Sequence, residues 1–309
     1  MSDQKIYVAL STFAQQDPGP LDILKQSGLL YDINTSGRRL NKEEIINRAK
    51  GFTGVIAGLE PYDAQVLEAL TGLKCISRCG VGLDNIDLNT AKAKNIEVLN
   101  TPQVVIQPVA ELAMAMMFDL LRRVTRHTLL MRGRKWERHV GNLLLGKKVG
   151  VIGLGRIGRK VAELLRGWGI EVCGVDIRPD EKWARQQGVQ IKTLEQVLAD
   201  SDIITLHLST SEEHPFCLGE DEIFRMKKGA FLINVARGAL VDEPSLIKAL
   251  KSGHLAGVGL DVFEEEPYTG PLCDLDNVVL TPHVATLTQE SRLAMEIEAV
   301  ENIVHFFNK

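Results

Sequence analysis

The chain is poor in cysteine, in aromatic residues and in long apolar segments. Its five cysteines are scattered over 309 residues, and none forms a Cys-x-x-Cys pair or a Cys/His cluster with zinc spacing. A disulfide framework and a structural metal are therefore not expected, and a reducing cytoplasm is the default compartment. No apolar run reaches the roughly 18 residues of a membrane helix, and the first residues lack the apolar segment of a secretory signal.

Charge of neither sign dominates the composition. Lysine and arginine number 36 against 40 aspartate and glutamate residues, so the formal net charge is −4. This balance argues against a nucleic-acid-binding surface. The length is a prior for two domains, and the hydrophobic fraction of 45% is ordinary for a soluble globular protein. The function must therefore be sought in motifs.

What the sequence does contain is an alternation of short apolar segments and helical segments. The strand-like segments comprise residues 5–10, 54–58, 75–77, 96–100, 148–152, 171–175, 202–207, 230–234, 257–261 and 278–280. One of the helical segments between them starts with a capping box from Asn41 to Glu44. The alternation predicts an α/β protein with doubly wound parallel sheets and covering helices.

One segment carries the pattern of a dinucleotide-binding unit. The strand at 148–152 is followed by Gly153-Leu154-Gly155-Arg156-Ile157-Gly158, then by a helix and by a second strand that ends in Asp176. The first glycine permits a tight turn, the second lets the backbone approach a pyrophosphate, and the third lets the helix pack on the strand. Asp176 would accept hydrogen bonds from the ribose and repel a 2′-phosphate, so NAD is the expected cofactor. The alternative is a glycine turn that only packs a helix.

The position of this motif predicts the domain organisation. About 145 residues precede it, so a different domain comes first. A helix that is apolar on nearly all faces is predicted over 109–127, either buried between two domains or part of a subunit interface. The last helix, 291–307, has no strand after it and is expected to pack on the first domain. We therefore predict a substrate domain formed by 1–100 and 285–309, with a cofactor domain, 101–284, inserted into it.

Three polar side chains follow apolar strands in the second half of the chain. Arg237 lies just beyond one strand, an acid of the run Glu264-Glu265-Glu266 follows the next, and His283 follows the last. Carboxyl ends of parallel strands are where such sheets bind ligands. Reduction of a 2-keto acid needs a cation for the carboxylate and a proton donor for the developing alkoxide, for which histidine is suited near neutral pH. A neighbouring carboxylate would hold the ring and favour its protonated form.

The chain resembles the D-isomer-specific 2-hydroxyacid dehydrogenases over nearly its whole length. The matching segments are 77–87, 100–102, 109–111, 146–158, 233–238, 260–263, 266–267 and 282–283. The resemblance implies a Rossmann cofactor domain inserted into a flavodoxin-like substrate domain. It also implies an NAD-dependent enzyme that acts on a small 2-hydroxy or 2-keto acid and is commonly a homodimer.

The resemblance assigns roles to individual residues. Arg237 is implied to bind the substrate carboxylate and carbonyl, and Glu266 to pair with His283 as the acid/base. The loop Gly80-Val81-Gly82 corresponds to backbone donors for the substrate carboxylate. The residues implied in cofactor binding are Gly153, Gly155, Arg156, Ile157, Gly158, Asp176, His207, Val235, Ala236 and Asp261. Of these, Asp261 is implied to meet the nicotinamide carboxamide.

Departures from the family pattern bear on the substrate. Phosphoglycerate dehydrogenases usually carry Val-Arg-Ser-x-Thr where this chain has Ile56-Ala57-Gly58-Leu59-Glu60. The missing arginine weakens 3-phosphoglycerate as the substrate, although Arg78 or another cation could substitute. Formate dehydrogenases carry glutamine where Glu266 stands, and a phosphite-oxidising relative is compatible with the three polar residues. A dinucleotide-sensing, corepressor-like scaffold is the alternative from another class, and it needs no such residues.

Overall fold

The computed structural model describes residues 4–208 and 216–309. Two compact units are present, and they are described separately. The first consists of Met1–Val105 together with Thr286–Lys309, and the second consists of Ile106–Ala285.

The first unit contains a five-stranded parallel sheet. Its elements in the amino-terminal stretch are β1 (Lys5–Val8), α1 (Gly19–Gln26), β2 (Leu30–Ile33), α2 (Lys42–Ala49), β3 (Gly54–Ala57), α3 (Ala64–Ala69), β4 (Cys75–Arg78), α4 (Leu88–Ala93) and β5 (Glu97–Asn100). The strand order is β2-β1-β3-β4-β5, which is that of the flavodoxin-like doubly wound sheet.

Both faces of this sheet are covered by helices. The C-terminal helix, Gln289–Phe307, packs against β3, β4 and β5 and against α1. Ser77 in β4 donates a hydrogen bond from its hydroxyl to the carbonyl of Ala299 at 2.7 Å, so a buried polar side chain joins the helix to the sheet. Residues of α2 and α3 form a core with β1, β3 and β4. The carboxyl ends of all five strands therefore lie at one edge of a covered sheet.

Local sequence accounts for the helix starts in this unit. Asn41 accepts a hydrogen bond from the backbone of Glu44 at 3.0 Å, and Glu44 accepts one from the backbone of Asn41 at 3.0 Å. The predicted capping box is thus confirmed. Asp63 and Asp87 cap α3 and α4 in the same way, each with a carboxylate oxygen.

The second unit contains a seven-stranded parallel sheet. Its elements are α5 (Ile106–Arg122), α6 (Val124–Arg132), β6 (Lys148–Ile152), α7 (Arg156–Gly167), β7 (Glu171–Val175), α8 (Glu181–Gln187), β8 (Gln190–Ile191), α9 (Leu194–Asp200), β9 (Ile203–Leu206), α10 (Glu220–Arg225), β10 (Ala230–Asn234), α11 (Glu243–Lys251), β11 (Leu255–Leu260) and β12 (Val278–Leu280). The strand order is β12-β11-β10-β9-β6-β7-β8. Strand order reverses between β6 and β9, which is where doubly wound sheets bind ligands.

The two parallel sheets confirm the predicted α/β class, but one predicted helix is wrong in both its bounds. A single helix was expected over 109–127, whereas α5 ends at Arg122 and α6 starts at Val124. Arg123 between them has φ +55°, in the left-handed region. The Asp119 carboxylate accepts a hydrogen bond from the backbone of Thr125 at 2.8 Å, which a continuous helix would not allow. Apolar periodicity does not reveal this break.

Candidate active site

The glycine loop between β6 and α7 is shaped for close backbone approach. Gly153 has φ +91°, a conformation that favours glycine. A Cβ atom on Gly158 would lie 1.9 Å from the carbonyl oxygen of Gly153, so no side chain fits there. Gly155 precedes α7 without any side-chain cap, and a Cβ there would have no described atom within 4 Å. The first-turn amides of α7, including those of Arg156 and Ile157, thus adjoin open space in which a pyrophosphate can be bound.

Asp176 is fixed beside this loop. One carboxylate oxygen accepts the backbone N–H of Leu154 at 2.7 Å, and the other accepts the backbone N–H of Arg178 at 2.9 Å. The carboxylate is therefore oriented by the turn that follows β6 and by the turn that follows its own strand, β7. This places a fixed acceptor next to the loop, which is the position that a ribose hydroxyl requires.

His207 lies on the other side of the glycine loop, directly after β9. Its Nε2 is 2.8 Å from the hydroxyl of Thr205, and its Nδ1 has no hydrogen-bond partner among the described residues. Burial lowers the pKa of His207 to about 3, so the ring is neutral at ordinary pH. A Cβ on Gly153 would lie 2.6 Å from the backbone oxygen of His207, so the two segments are packed closely.

Three loops that carry polar residues meet at the carboxyl edge of neighbouring strands. Arg237 follows β10, Asp261 follows β11 and His283 follows β12, and these strands are adjacent and parallel. Adjacent strands lie about 4.8 Å apart, so the three loops occupy one stretch of the edge. The sheet therefore brings together residues that are up to 46 positions apart in the sequence, from Arg237 to His283.

The loop that carries Arg237 is held by a buried asparagine. Asn234, at the end of β10, donates a hydrogen bond from its amide to the carbonyl of Arg237 at 2.7 Å and accepts one from the backbone of Ala236 at 3.1 Å. A Cβ on Gly238 would lie 2.0 Å from the backbone carbon of Phe263, so the loop after β10 lies against the loop after β11. Sequence analysis missed the part played by Asn234, although a polar residue at the end of an all-apolar strand was a signal for it.

Arg237 follows the buried Val235 and the half-buried Ala236. Its guanidinium donates a hydrogen bond from Nη1 to the carbonyl of Ala236 at 2.6 Å. The side chain itself is partly exposed. A guanidinium at this place can bind a carboxylate through two parallel N–H groups.

Glu266 and His283 form a hydrogen-bonded pair in the geometry expected of an oriented imidazole. The His283 Nδ1 lies 2.8 Å from one carboxylate oxygen of Glu266, and the other oxygen accepts the backbone N–H of Phe263 at 3.1 Å. The side chains of His283 and Glu266 are 38% and 33% exposed, so both are accessible from solvent. Because Nδ1 faces the carboxylate, Nε2 is the ring atom left for proton exchange with a ligand.

Asp261 lies beneath this pair and is completely buried. One carboxylate oxygen accepts the hydroxyl of Thr281 at 2.5 Å and the backbone N–H of Val284 at 2.8 Å. The other accepts the backbone N–H of Ala285 at 2.9 Å. The described hydrogen bonds of the Asp261 carboxylate are thus all made to the turn that carries His283. Thr281 was not among the predicted site residues.

A second glycine loop lies in the first unit, directly after β4. Gly80 has φ +135°, and its backbone N–H donates a hydrogen bond to the hydroxyl of Thr101 at 2.8 Å. The side-chain amide of Asn100 donates to the carbonyl of Val81 at 2.9 Å. Among the described residues, the N–H groups of Val81 and Gly82 have no partner. Of the three predicted backbone donors, Val81 and Gly82 are therefore available to a ligand, and Gly80 serves to hold the loop.

Glu60 and Arg78 lie near this loop and are nearly buried. The Glu60 carboxylate accepts the backbone N–H of Gly58 at 2.7 Å. Burial raises the pKa of Glu60, while the nearby guanidiniums of Arg39 and Arg78 oppose that rise. The segment that replaces the phosphoglycerate dehydrogenase pattern thus carries Ala57 at the position of the arginine and a buried carboxyl group three residues later.

Comparison with known proteins shows which family this chain belongs to. The family model for the NAD-binding domain of D-isomer specific 2-hydroxyacid dehydrogenases matches residues 114–285. The chain belongs to the D-isomer specific 2-hydroxyacid dehydrogenase family. The matched segment contains the glycine loop after β6 and all three loops at the edge of β10, β11 and β12.

Relatives of this dehydrogenase include enzymes with different substrates. A glyoxylate reductase from Korarchaeum cryptofilum is 38% identical over 86% of this chain and 83% of its own. A D-3-phosphoglycerate dehydrogenase from Archaeoglobus fulgidus is 36% identical over 92% of this chain but only 54% of its own. The crystal structure of D-lactate dehydrogenase from Aquifex aeolicus with NAD and lactic acid is 28% identical, with a TM-score of 0.87 over 99% of this chain and 96% of its own.

These findings confirm the predicted activity class. The protein is an NAD-dependent oxidoreductase that acts on 2-hydroxy acids, and NAD is its cofactor. The fit of a dinucleotide is also supported by the chain itself, because the glycine loop has open space at Gly155, just before α7 begins. An enzyme is therefore favoured over a dinucleotide-sensing scaffold.

Neither a metal site nor a membrane-spanning helix is found among the described residues. In residues 4–208 and 216–309, no three His, Cys, Asp or Glu side chains are grouped so that they could bind a metal ion. Over the same residues, no helix combines the length and the apolar character that crossing a membrane requires.

Proposed function

We propose that this dehydrogenase interconverts a small, unphosphorylated 2-keto acid and its D-2-hydroxy acid, with Arg237, Glu266 and His283 as its catalytic residues. The observation that carries the proposal is the 2.8 Å hydrogen bond between His283 Nδ1 and the Glu266 carboxylate. Such a pair orients the ring, leaves Nε2 toward a substrate oxygen and favours the protonated imidazole that a keto-acid reductase needs.

In reduction, bound NADH supplies a hydride to C2 of the keto acid. Arg237 binds the substrate carboxylate and orients the carbonyl, so that charge developing on its oxygen faces a cation. His283 donates its Nε2 proton to that oxygen and takes it back in oxidation. Glu266 keeps the ring in place while the charge of His283 changes.

The residues that hold the cofactor in this proposal lie around the β6–β9 reversal and the carboxyl end of β10. They are Gly153, Gly155, Arg156, Ile157 and Gly158 at the pyrophosphate, Asp176 at the ribose, and His207, Val235 and Ala236 toward the nicotinamide. The buried, neutral ring of His207 would present no charge to the cofactor. Asp176 would exclude a 2′-phosphate by charge repulsion.

The first unit is proposed to bind the substrate carboxylate through the loop Gly80-Val81-Gly82. The support is the pair of N–H groups on Val81 and Gly82, which have no partner among the described residues and can donate to an anion. The second unit would be the cofactor domain. The proposed bounds, 1–100 with 285–309 and 101–284, are close to the two compact units.

A phosphorylated substrate is the less favoured alternative. The Ile56 to Glu60 segment lacks the arginine of phosphoglycerate dehydrogenases, and Glu60 is 3% exposed, so a carboxyl group is buried there instead. We expect glyoxylate, hydroxypyruvate or another short 2-keto acid to be reduced with a higher kcat/KM than 3-phosphohydroxypyruvate. An NADH-oxidation screen over these acids, with phosphite tested in the opposite direction, measures this. Preferential turnover of 3-phosphohydroxypyruvate would contradict the proposed substrate class.

The homodimer is proposed from an exposed apolar arm, which comprises α6 and the segment that follows it. The nine residues of α6 are all described, and none is buried. The arm exposes seven large apolar side chains, each by more than half of its surface: Val124, Leu129, Met131, Trp136, Val140, Leu143 and Leu145. Contiguous exposure of this kind marks an interface, and a second copy would cover it in a two-fold arrangement.

Light scattering after size exclusion tests the dimer. Trp136→Ser combined with Val140→Asp should yield monomers, because it removes two of the largest exposed apolar groups and adds a charge. Leu30→Ser, at an exposed apolar residue of the first unit, is the matched control and should leave the mass unchanged. A monomeric wild-type protein would contradict the proposal.

A cytoplasmic location is proposed from the cysteines, all five of which are free thiols.

A further inference from the structure

The turn that carries His283 has a backbone conformation that needs support. His283 has φ +54°, a left-handed conformation that costs a non-glycine residue energy. Its backbone N–H bonds to the carbonyl of Thr281 at 3.0 Å, which tightens the turn but does not attach it to the sheet. The Glu266 pair orients the ring but not the backbone. The backbone N–H of Thr281 donates to the carbonyl of Leu260 at 3.0 Å, which attaches the start of the turn to β11. The residues from His283 onward need a further attachment.

The Asp261 carboxylate makes that attachment. It accepts hydrogen bonds from Thr281 before His283 and from Val284 and Ala285 after it. The three donors therefore flank the histidine on both sides. Hydrogen bonds to a charged acceptor are about twice as strong as neutral ones, and those to a fully buried carboxylate are protected from competing water.

Asp261 also connects this turn, through hydrogen bonds, to the loop that carries Arg237. Its own backbone N–H donates to the carbonyl of Asn234 at 3.0 Å, which continues the pairing of β10 and β11 by one residue. Asn234 in turn holds the carbonyl of Arg237. One residue is thus bonded through its backbone to the end of the Arg237 strand and through its side chain to the His283 turn.

We propose that Asp261 is a positioning residue for His283, which fixes the 281–285 turn so that the imidazole and Arg237 address the same substrate. The inference rests on the proposed function in taking His283 as the acid/base. It differs from the role implied by the resemblance, a contact with the nicotinamide carboxamide, because the Asp261 side chain is 0% exposed and both of its oxygens are bonded within the turn.

Asp261→Asn is the principal test, since the amide group presents one acceptor oxygen to three donors. We expect kcat for keto-acid reduction to fall about 10- to 100-fold, because small displacements of a catalytic group have effects of that order. The dissociation constant for NADH, measured by fluorescence titration, should stay as in the wild type. Amide hydrogen exchange at residues 281–285 should become faster in the absence of any ligand.

Thr281→Val provides a milder second variant that removes one donor and keeps the side-chain shape. It should show the same changes in kcat and in exchange, to a smaller extent. Asp276→Asn alters an exposed carboxylate that precedes β12, away from the carboxyl edge, and should leave exchange and kcat unchanged. If Asp261→Asn fails to fold, as judged by circular dichroism, Thr281→Val alone decides the question.

A cofactor analogue separates the two possible roles of Asp261. The 3-acetylpyridine analogue of NADH lacks the amide N–H groups of the carboxamide. If Asp261 positions the turn, Asp261→Asn should lower kcat by the same factor with NADH and with the analogue. A penalty that disappears with the analogue, or wild-type exchange rates in both variants, would overturn the inference. Full activity in His283→Ala would instead refute the proposed function and would leave the exchange result standing.

Discussion

The cofactor end and the catalytic edge of the second sheet are built in different ways. At the cofactor end, Gly158 fits against the carbonyl oxygen of Gly153 and Gly153 fits against the backbone of His207, so the packing depends on the absence of side chains. At the catalytic edge, side-chain acceptors join loops that are far apart in sequence, as Asp261 does with the 281–285 turn. The first region depends on close packing of backbone segments, and the second depends on hydrogen bonds to side chains. Substitutions should therefore separate cofactor binding from chemistry.

His283→Ala should have the largest effect on the catalytic edge and almost none on the cofactor end. Loss of a general acid/base lowers kcat by about 10²- to 10⁴-fold, and we expect this in both reaction directions. NADH should bind with unchanged affinity in a fluorescence titration. A parallel loss of NADH binding would show that the two regions are not separable.

Arg237→Lys keeps the charge at the edge but removes the planar pair of donors. We expect KM for the keto acid to rise and kcat to fall together, by about 10- to 100-fold in kcat/KM, since charged hydrogen bonds are worth 1.5–3 kcal/mol. Steady-state kinetics with NADH held saturating measure the change. Wild-type kinetics in this variant would make Arg237 a structural residue.

Glu266→Gln keeps the size of the His283 partner and removes its charge. The protonated imidazole is then less favoured, so the pH above which reduction declines should move downward. Activity lost at neutral pH should return on acidification. The measurement is the pH profile of kcat/KM for both proteins, and identical profiles would mean that the 2.8 Å pair does not control the proton donor.

Asp176→Ser acts at the cofactor end alone. Removing the carboxylate beside the glycine loop should raise kcat/KM with NADPH and lower it with NADH, which changes the preference by about tenfold or more, the equivalent of 1.4 kcal/mol. The keto-acid KM should not change. Equal use of both cofactors by the wild type would contradict the assignment of Asp176.

The His207 prediction concerns stability at acid pH and not catalysis. The pKa of His207 is lowered from 6.5 to about 3 in the folded protein, so below pH 6.5 the unfolded chain binds a proton that the folded protein does not. The free energy of unfolding is therefore unaffected by His207 above pH 6.5. It decreases as the pH falls from 6.5 towards 3, by about 1.4 kcal/mol per pH unit. In urea titrations between pH 6.5 and 4.5, the free energy of unfolding of His207→Gln should decrease less steeply with falling pH than that of the wild type. Parallel declines would mean that His207 is protonated in the folded state.

Much of the fold followed from local signals. The β6–α7 unit lies where the glycine motif predicted it, and Asn41, Asp63 and Asp87 cap helices as short polar residues do. The break at Arg123 was not predicted, because it depends on the side chain of Asp119 and not on apolar periodicity. Strand β8, with two exposed residues, carries too little pattern to be recognised.

The sequence by itself determined which residue types are present and in what order, and hence the parallel sheets, the dinucleotide cradle and the identities of Arg237, Glu266 and His283. These features are indicated by short patterns of residues that are near neighbours in the chain. Only the tertiary structure decided that Asp261 supports the His283 turn and that Thr101 engages the N–H of Gly80. Those contacts join residues about 20 positions apart, and they exist because parallel strand order brings the ends of adjacent strands together.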